Sequence, residues 1–173
     1  MPLIIDTTVL IDYLRLYDPA IKYFDLSEKR KEIQAISVVS AMEVLQGCRD
    51  KKSFILEPPR IPSAWLKLWR LHRQMPSGGM KAAEKRTTSK PCAFSVGWFI
   101  IVQKFLSCLR ILHISEQMSK RAFALQQKYH LSHRLSLPDS FIASTALVSK
   151  ASLVTSNLKD FEFIPLLKII SPY

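Results

Sequence analysis

Cysteine, histidine and acid are all scarce in this chain, and each shortage removes a class of chemistry. Cys48, Cys92 and Cys108 are odd in number and never stand at CxxC spacing, which argues against a disulfide framework and a thiolate zinc site. The 4 histidines are scattered and form no metal motif. Acids number 14 against 25 Lys and Arg, a net charge of +11 that suits a polyanionic partner such as RNA or DNA. Basic surfaces also serve solubility and contact with acidic proteins, so charge alone decides little. No apolar run is long enough to cross a bilayer, because "FSVGWFIIVQKFLSCL" is broken at Gln103 and Lys104. The apolar start, "MPLIIDTTVLI", is interrupted at Asp6 and lacks the basic leader of a secretory signal. A cytoplasmic protein without a membrane partner is the expectation, and no internal repeat is visible.

What is present is a foldable α/β pattern. With 173 residues and 48% hydrophobic content, the chain is expected to be one domain over 1–173 with a sizeable core. "LIID" reads as a short strand ending at an acid, and "TTVLIDYLRL" as a helix by its apolar spacing. "QAISVVS" reads as a second strand. "SAMEVLQGCRD" follows as a helix, with Ser40 as N-cap and Glu43 in its first turn. "RILHIS" is a third strand, and Ser115 caps a helix over "SEQMSKRAFALQQKYHL". "LPDSFIASTALVSKA" is a helix with Pro138 near its start, "SLVTSN" a fourth strand and "LLKIIS" a fifth. Short apolar strands alternating with helices imply a mostly parallel sheet covered on both faces.

Residues 58–97 break this rhythm. They hold five of the 10 prolines, three of the 4 glycines, and eight basic residues against Glu84 alone, which is +7 of the total +11. A segment of this kind reads as a basic, Pro/Gly-rich insertion within the domain.

The acids at element ends are few. Asp6 closes the first strand, Glu43 and Asp139 fall in first turns of helices, and Asn157 and Asp160 follow the fourth strand. In a parallel sheet the carboxyl ends of the strands share one edge, so these groups can converge. Gathered carboxylates repel one another unless a cation neutralises them, and oxygen-only ligands favour Mg²⁺ or Mn²⁺. Each residue also has a purely structural reading. Glu43 with Ser40 can be a capping box, Asp139 can serve a helix dipole, and Asp6 can cap a helix. Thr155 to Asn157 can be an ordinary polar turn. Those readings do not require an acid at every one of these places. Asp12, Asp18, Asp25 and Asp50 read as solvated charges, His113 as a packed histidine, and His130 and His133 as solvent-facing.

Through these residues the chain resembles the PIN-domain ribonucleases, particularly the toxins of VapBC-type toxin–antitoxin pairs. "IIDTTVLIDYL" resembles their opening strand, with the first metal-binding acid at Asp6 and a supporting hydroxyl at Thr8. "SVVSAMEVLQG" is similar to the second acidic motif, with Glu43 followed four residues later by Gly47. "LSLPDSFIASTAL" resembles the third, with Asp139, and "LVTSNLKDF" the closing motif, with Thr155 and a following Asn or Asp. The likeness covers residues 1–57 and about 98–173.

The resemblance implies a three-layer α/β/α fold and a Mg²⁺- or Mn²⁺-dependent endoribonuclease. It implies RNA as substrate, a small antitoxin as partner, and often a homodimer. Asp6, Glu43 and Asp139 would be the catalytic metal ligands, with Asn157 and Asp160 completing the site. Two features depart from the pattern. Asn157 stands where many members carry a fourth Asp, and the 58–97 segment interrupts a region used for antitoxin and dimer contacts. A catalytically impaired PIN-fold module that binds RNA or an antitoxin is therefore the rival expectation. A membrane-surface or DNA-binding protein built on the basic segment is a third.

Overall fold

Three residues, Leu3 to Ile5, form the centre of the sheet, and their side chains alternate between two cores. Leu3 and Ile5 pack on one face and Ile4 on the other, as the period of a strand requires. The computed structural model describes residues 2–47, 99 and 102–173. The expected insertion at 58–97 lies outside the described residues.

In chain order the elements are β1 (Leu3–Ile5), α1 (Thr7–Leu14), α2 (Asp18–Lys29), β2 (Gln34–Ser37) and α3 (Val38–Gly47). After a helical stretch at 102–107 come β3 (Arg110–Leu112), α4 (Glu116–His133), α5 (Leu137–Val148) and β4 (Ser152–Val154). A 3-10 turn (Leu158–Asp160) and β5 (Ile169–Ile170) follow. Among the described residues the sheet has 5 strands in the order β3-β2-β1-β4-β5. Every pairing is parallel. Strands β1 and β4 are buried along their whole length, which is why they read as unbroken apolar runs.

One face of the sheet packs against α1, α2, α3 and the 102–107 stretch through Val9, Leu10, Phe24, Val44 and Phe105. The other face packs against α4 and α5 through Leu125, Tyr129, Ile142 and Ala146. The result is a three-layer α/β/α arrangement, as expected from the order of elements. Among the described residues no helix is long and apolar enough to cross a membrane.

The structure corrects three local expectations. Helix α3 begins at Val38, so Val38 and Val39 are helical and not strand. Ser37 Oγ accepts from Val39 N at 3.3 Å, a contact at the helix start, while Ser40 lies inside the helix, fully buried, with a hydroxyl that has no partner among the described residues. Ser40 and Glu43 therefore form no capping box, and Glu43 belongs to the second turn. Secondly, α2 is a helix that the order of elements read from sequence leaves out. It buries Ala20, Phe24 and Ser27, and Ile21 and Tyr23 pack against the same core. Thirdly, His113 is exposed, where a packed side chain was expected.

Candidate active site

The strand order places a reversal at the centre of the sheet. From β1 the chain builds outward to β2 and β3 on one side, and β4 and β5 lie on the other. In open parallel sheets the crevice beyond the carboxyl ends at such a reversal is where ligands bind. The strands that flank it end at Asp6 and Thr155.

Register makes these two residues neighbours. Ile5 pairs with Val154, and Asp6 N donates to Val154 O at 2.9 Å. One step beyond, Thr155 Oγ1 donates to Asp6 Oδ2 at 2.7 Å, across 149 residues of sequence. Thr8 Oγ1 donates to the same oxygen at 2.8 Å, and Thr7 N to Oδ1 at 2.7 Å as Asp6 caps α1. Asp6 is 2% exposed. Burial pushes its pKa up, and the hydrogen bonds from Thr155, Thr8 and Thr7 pull the other way.

Glu43 arrives from α3. Thr7 Oγ1 donates to its Oε2 at 2.5 Å, so the first residue of α1 ties the second acid to the first. Asp139 arrives from the first turn of α5, where Ser136 caps the helix. Ser136 Oγ accepts from Asp139 N at 3.1 Å and donates to Asp139 Oδ2 at 2.5 Å. Glu43 is raised by burial, against the Thr7 hydrogen bond, and further by the charges of Asp139 and Asp6. Asp139 is raised by burial, against the Ser136 hydrogen bond, and further by the charges of Asp6 and Asp160.

These mutual effects bring Asp6, Glu43, Asp139 and Asp160 into one electrostatic neighbourhood. Asn157 joins it indirectly. Its backbone N donates to Thr155 Oγ1 at 3.0 Å, and its side-chain Nδ2 donates to Asp160 Oδ2. Among the described residues no Lys or Arg is ion-paired with Asp6, Glu43 or Asp139. The donor set is all oxygen and its charge is uncompensated, which fits a hard divalent cation in chemistry. As the side chains stand, no three acidic, imidazole or thiol groups among the described residues are grouped closely enough to hold one.

Two residues at this site were not singled out by sequence. Thr7 bridges α1 to Glu43, and nothing in "DTT" distinguishes it from Thr8. Ser136 had a signal, because it stands three residues before Asp139 in the pattern of a reciprocal cap. Asp12 is also more than a solvated charge, since Tyr173 Oη donates to its Oδ2 at 2.5 Å.

No family model matches the sequence, and no curated protein does either. Solved structures of the same fold do match. A toxin–antitoxin complex from Klebsiella pneumoniae is 24% identical, with 99% of this chain and 98% of that chain covered at a TM-score of 0.57. VapBC2 from Rickettsia felis, bound to a DNA fragment from its promoter, is 20% identical over 98% of each chain with a TM-score of 0.63. DNA-bound VapBC from Salmonella typhimurium is 16% identical over 100% and 99%, also at 0.63. The fold is thus the PIN-like α/β/α fold found in VapBC complexes.

Proposed function

We propose that this chain is a Mg²⁺- or Mn²⁺-dependent endoribonuclease and the toxin of a toxin–antitoxin pair. The observation that supports this reading is the gathering of Asp6, Glu43 and Asp139 around the reversal of the sheet, each made a weaker acid by burial, with Glu43 raised further by the charges of Asp139 and Asp6 and Asp139 by those of Asp6 and Asp160. Carboxylates so placed destabilise the fold unless they are needed to hold positive charge.

Asp6, Glu43 and Asp139 would hold the cation, with the Asn157 carbonyl oxygen and Asp160 at its edge. When bound, such a cation supplies Lewis-acid charge to a phosphodiester and lowers the pKa of its water. The chain's own contribution is positional. Thr8 and Thr155 hold one oxygen of Asp6, Thr7 holds Glu43, and Ser136 holds Asp139, so each carboxylate would close on the cation from a defined starting position. The basic balance of the chain would attract RNA. The protein partner we propose is a small antitoxin, because the shared fold occurs in toxin–antitoxin complexes from several organisms. We extend the same reading to a homodimer acting in the cytoplasm.

A second reading has its own support. Asn157 adds no charge where a fourth acid would, and its side chain occupies Asp160. A PIN-fold module that binds RNA or an antitoxin without cutting fits those facts. RNA cleavage by purified protein, with and without Mg²⁺ or Mn²⁺, separates the two. The nuclease reading requires metal-dependent cleavage that Asp139→Asn abolishes in a folded protein. Metal-independent binding with no cleavage at any metal concentration would decide for the module.

A further inference from the structure

Three aromatic rings cluster where α4 ends. His133 stacks on Phe163 with centroids 4.1 Å apart and planes at 24°. Tyr129, one turn earlier on α4, meets His133 edge-on at 5.5 Å and Phe163 at 5.0 Å. Tyr129 is buried and Phe163 half-buried against the core, so the base of the cluster is rigid. His133 is exposed, so part of its ring remains open to solvent. Ser132 Oγ lies 2.8 Å from His133 Nδ1 and holds the ring's orientation.

We propose that this exposed imidazole face, backed by Phe163 and Tyr129, is a stacking platform for an unpaired nucleobase of single-stranded RNA. The proposal rests on the nuclease reading above and adds the place on the fold where a base of the RNA is held. Three observations point to it. The platform is flanked by Lys128, which lies over the Tyr129 ring at 5.1 Å, and by exposed Arg134, and neither is ion-paired among the described residues. Between Glu116 and Asp139 the chain holds no acid, so the end of α4 offers a phosphate backbone only basic and neutral side chains, and the acids nearest the platform in sequence on its other side are the exposed Asp160 and Glu162 beside Phe163. Two short chain segments also join the platform to the acidic site. His133 precedes Asp139 across the tight connection between α4 and α5, and Phe163 closely follows Asp160, whose charge acts on Asp139.

Stacking of this kind needs a base whose face is not covered by its neighbours. The platform therefore selects unpaired RNA, in a loop or a single strand, over a duplex. It tolerates sequence, because every base offers a π-face. Leu131 and Leu137 are exposed nearby and would suit a protein contact, but neither takes part in the ring stack.

The test uses the full chain and a short single-stranded RNA carrying one 2-aminopurine, with Ca²⁺ in place of Mg²⁺ to hold the RNA uncut. Binding is expected to quench the 2-aminopurine fluorescence. His133→Ala should weaken affinity by about tenfold and remove the quench, and His133→Phe should restore both. A duplex of the same sequence should compete poorly. Wild-type affinity in folded His133→Ala, or a failure of His133→Phe to restore it, would overturn the proposal. So would a change in oligomeric state alone, which would make the cluster a protein interface. Cleavage is read separately with Mg²⁺. Stacking without cleavage would reject the nuclease and keep the platform, while cleavage indifferent to His133 would do the reverse.

Discussion

At the scale of single residues, the metal-free site should be a measurable liability. A carboxyl held above its ordinary value binds its proton more tightly in the folded than in the unfolded chain. Stability then falls as pH rises from the ordinary values, 3.8 for Asp and 4.5 for Glu, through the raised folded values of Asp6, Glu43 and Asp139. Above those folded values the loss is complete. In chelator, the stability these three groups contribute should fall as pH rises above their ordinary values of 3.8 and 4.5, and added Mg²⁺ should raise the melting temperature more at pH 7.5 than at pH 4.5. Calorimetric melts at both pH values check this, and a Mg²⁺ effect larger at pH 4.5 would contradict it. Asp139→Asn should abolish cleavage yet raise the chelated melting temperature, by about 2–4 °C for each kcal/mol of repulsion relieved. Thr155→Val acts the other way. It removes a hydrogen bond to a buried carboxylate and should cost about 2 kcal/mol in denaturant unfolding at neutral pH.

Among the elements, α3 carries the sharpest test, because the start read from sequence, with Ser40 as N-cap, differs from the observed start at Val38. Were Ser40 an N-cap, Ser40→Ala would cost about 1 kcal/mol. Inside the helix, with a buried hydroxyl that has no partner, the same change should be neutral or stabilising, since it removes an unmet polar group and favours helix. Ser136→Ala should do the opposite. It removes a real cap from α5 and should cost about 1 kcal/mol while also releasing Asp139, so metal affinity should fall beyond what the stability loss explains. Equal metal binding by wild type and Ser136→Ala would show that the cap serves the helix only. The end of β1 was easy to read, because a short apolar run stops there at an acid, whereas the end of β2 was not, because Val38 and Val39 carry its apolar run on into α3. The α2 helix was left out because Asp18, Lys22, Asp25 and Glu28 make the segment polar on average, although Ala20, Ile21 and Phe24 stand at helical spacing.

For the whole molecule, charge is the property that sequence states most directly. Residues 58–97 carry +7 of the net +11. We expect that deleting them and rejoining the chain with a short linker leaves a folded α/β core with weaker non-specific RNA binding. Its dependence on salt should be shallower, because fewer counterions are released per complex. RNA binding at several salt concentrations, together with a melting curve, tests both parts. A deletion protein that fails to fold would show that the segment belongs to the core.

Composition and chain order by themselves determined the α/β class, the all-oxygen donor set, and the candidacy of Asp6, Glu43 and Asp139. These follow from local chemistry: where apolar runs stop, and which side chains stand there. Only the tertiary structure decided that Thr155 holds Asp6 across 149 residues, because that contact depends on the register of β1 against β4. It also decided that Glu43 belongs to a second turn and answers to Thr7, because β2 ends where its pairing with β3 ends, at Ser37, one residue after its pairing with β1. The reversal of strand order between β1 and β4 joins these facts. Local pattern cannot reveal it, since strand order is settled by which faces of the sheet the helices must cover, and that depends on the whole chain at once.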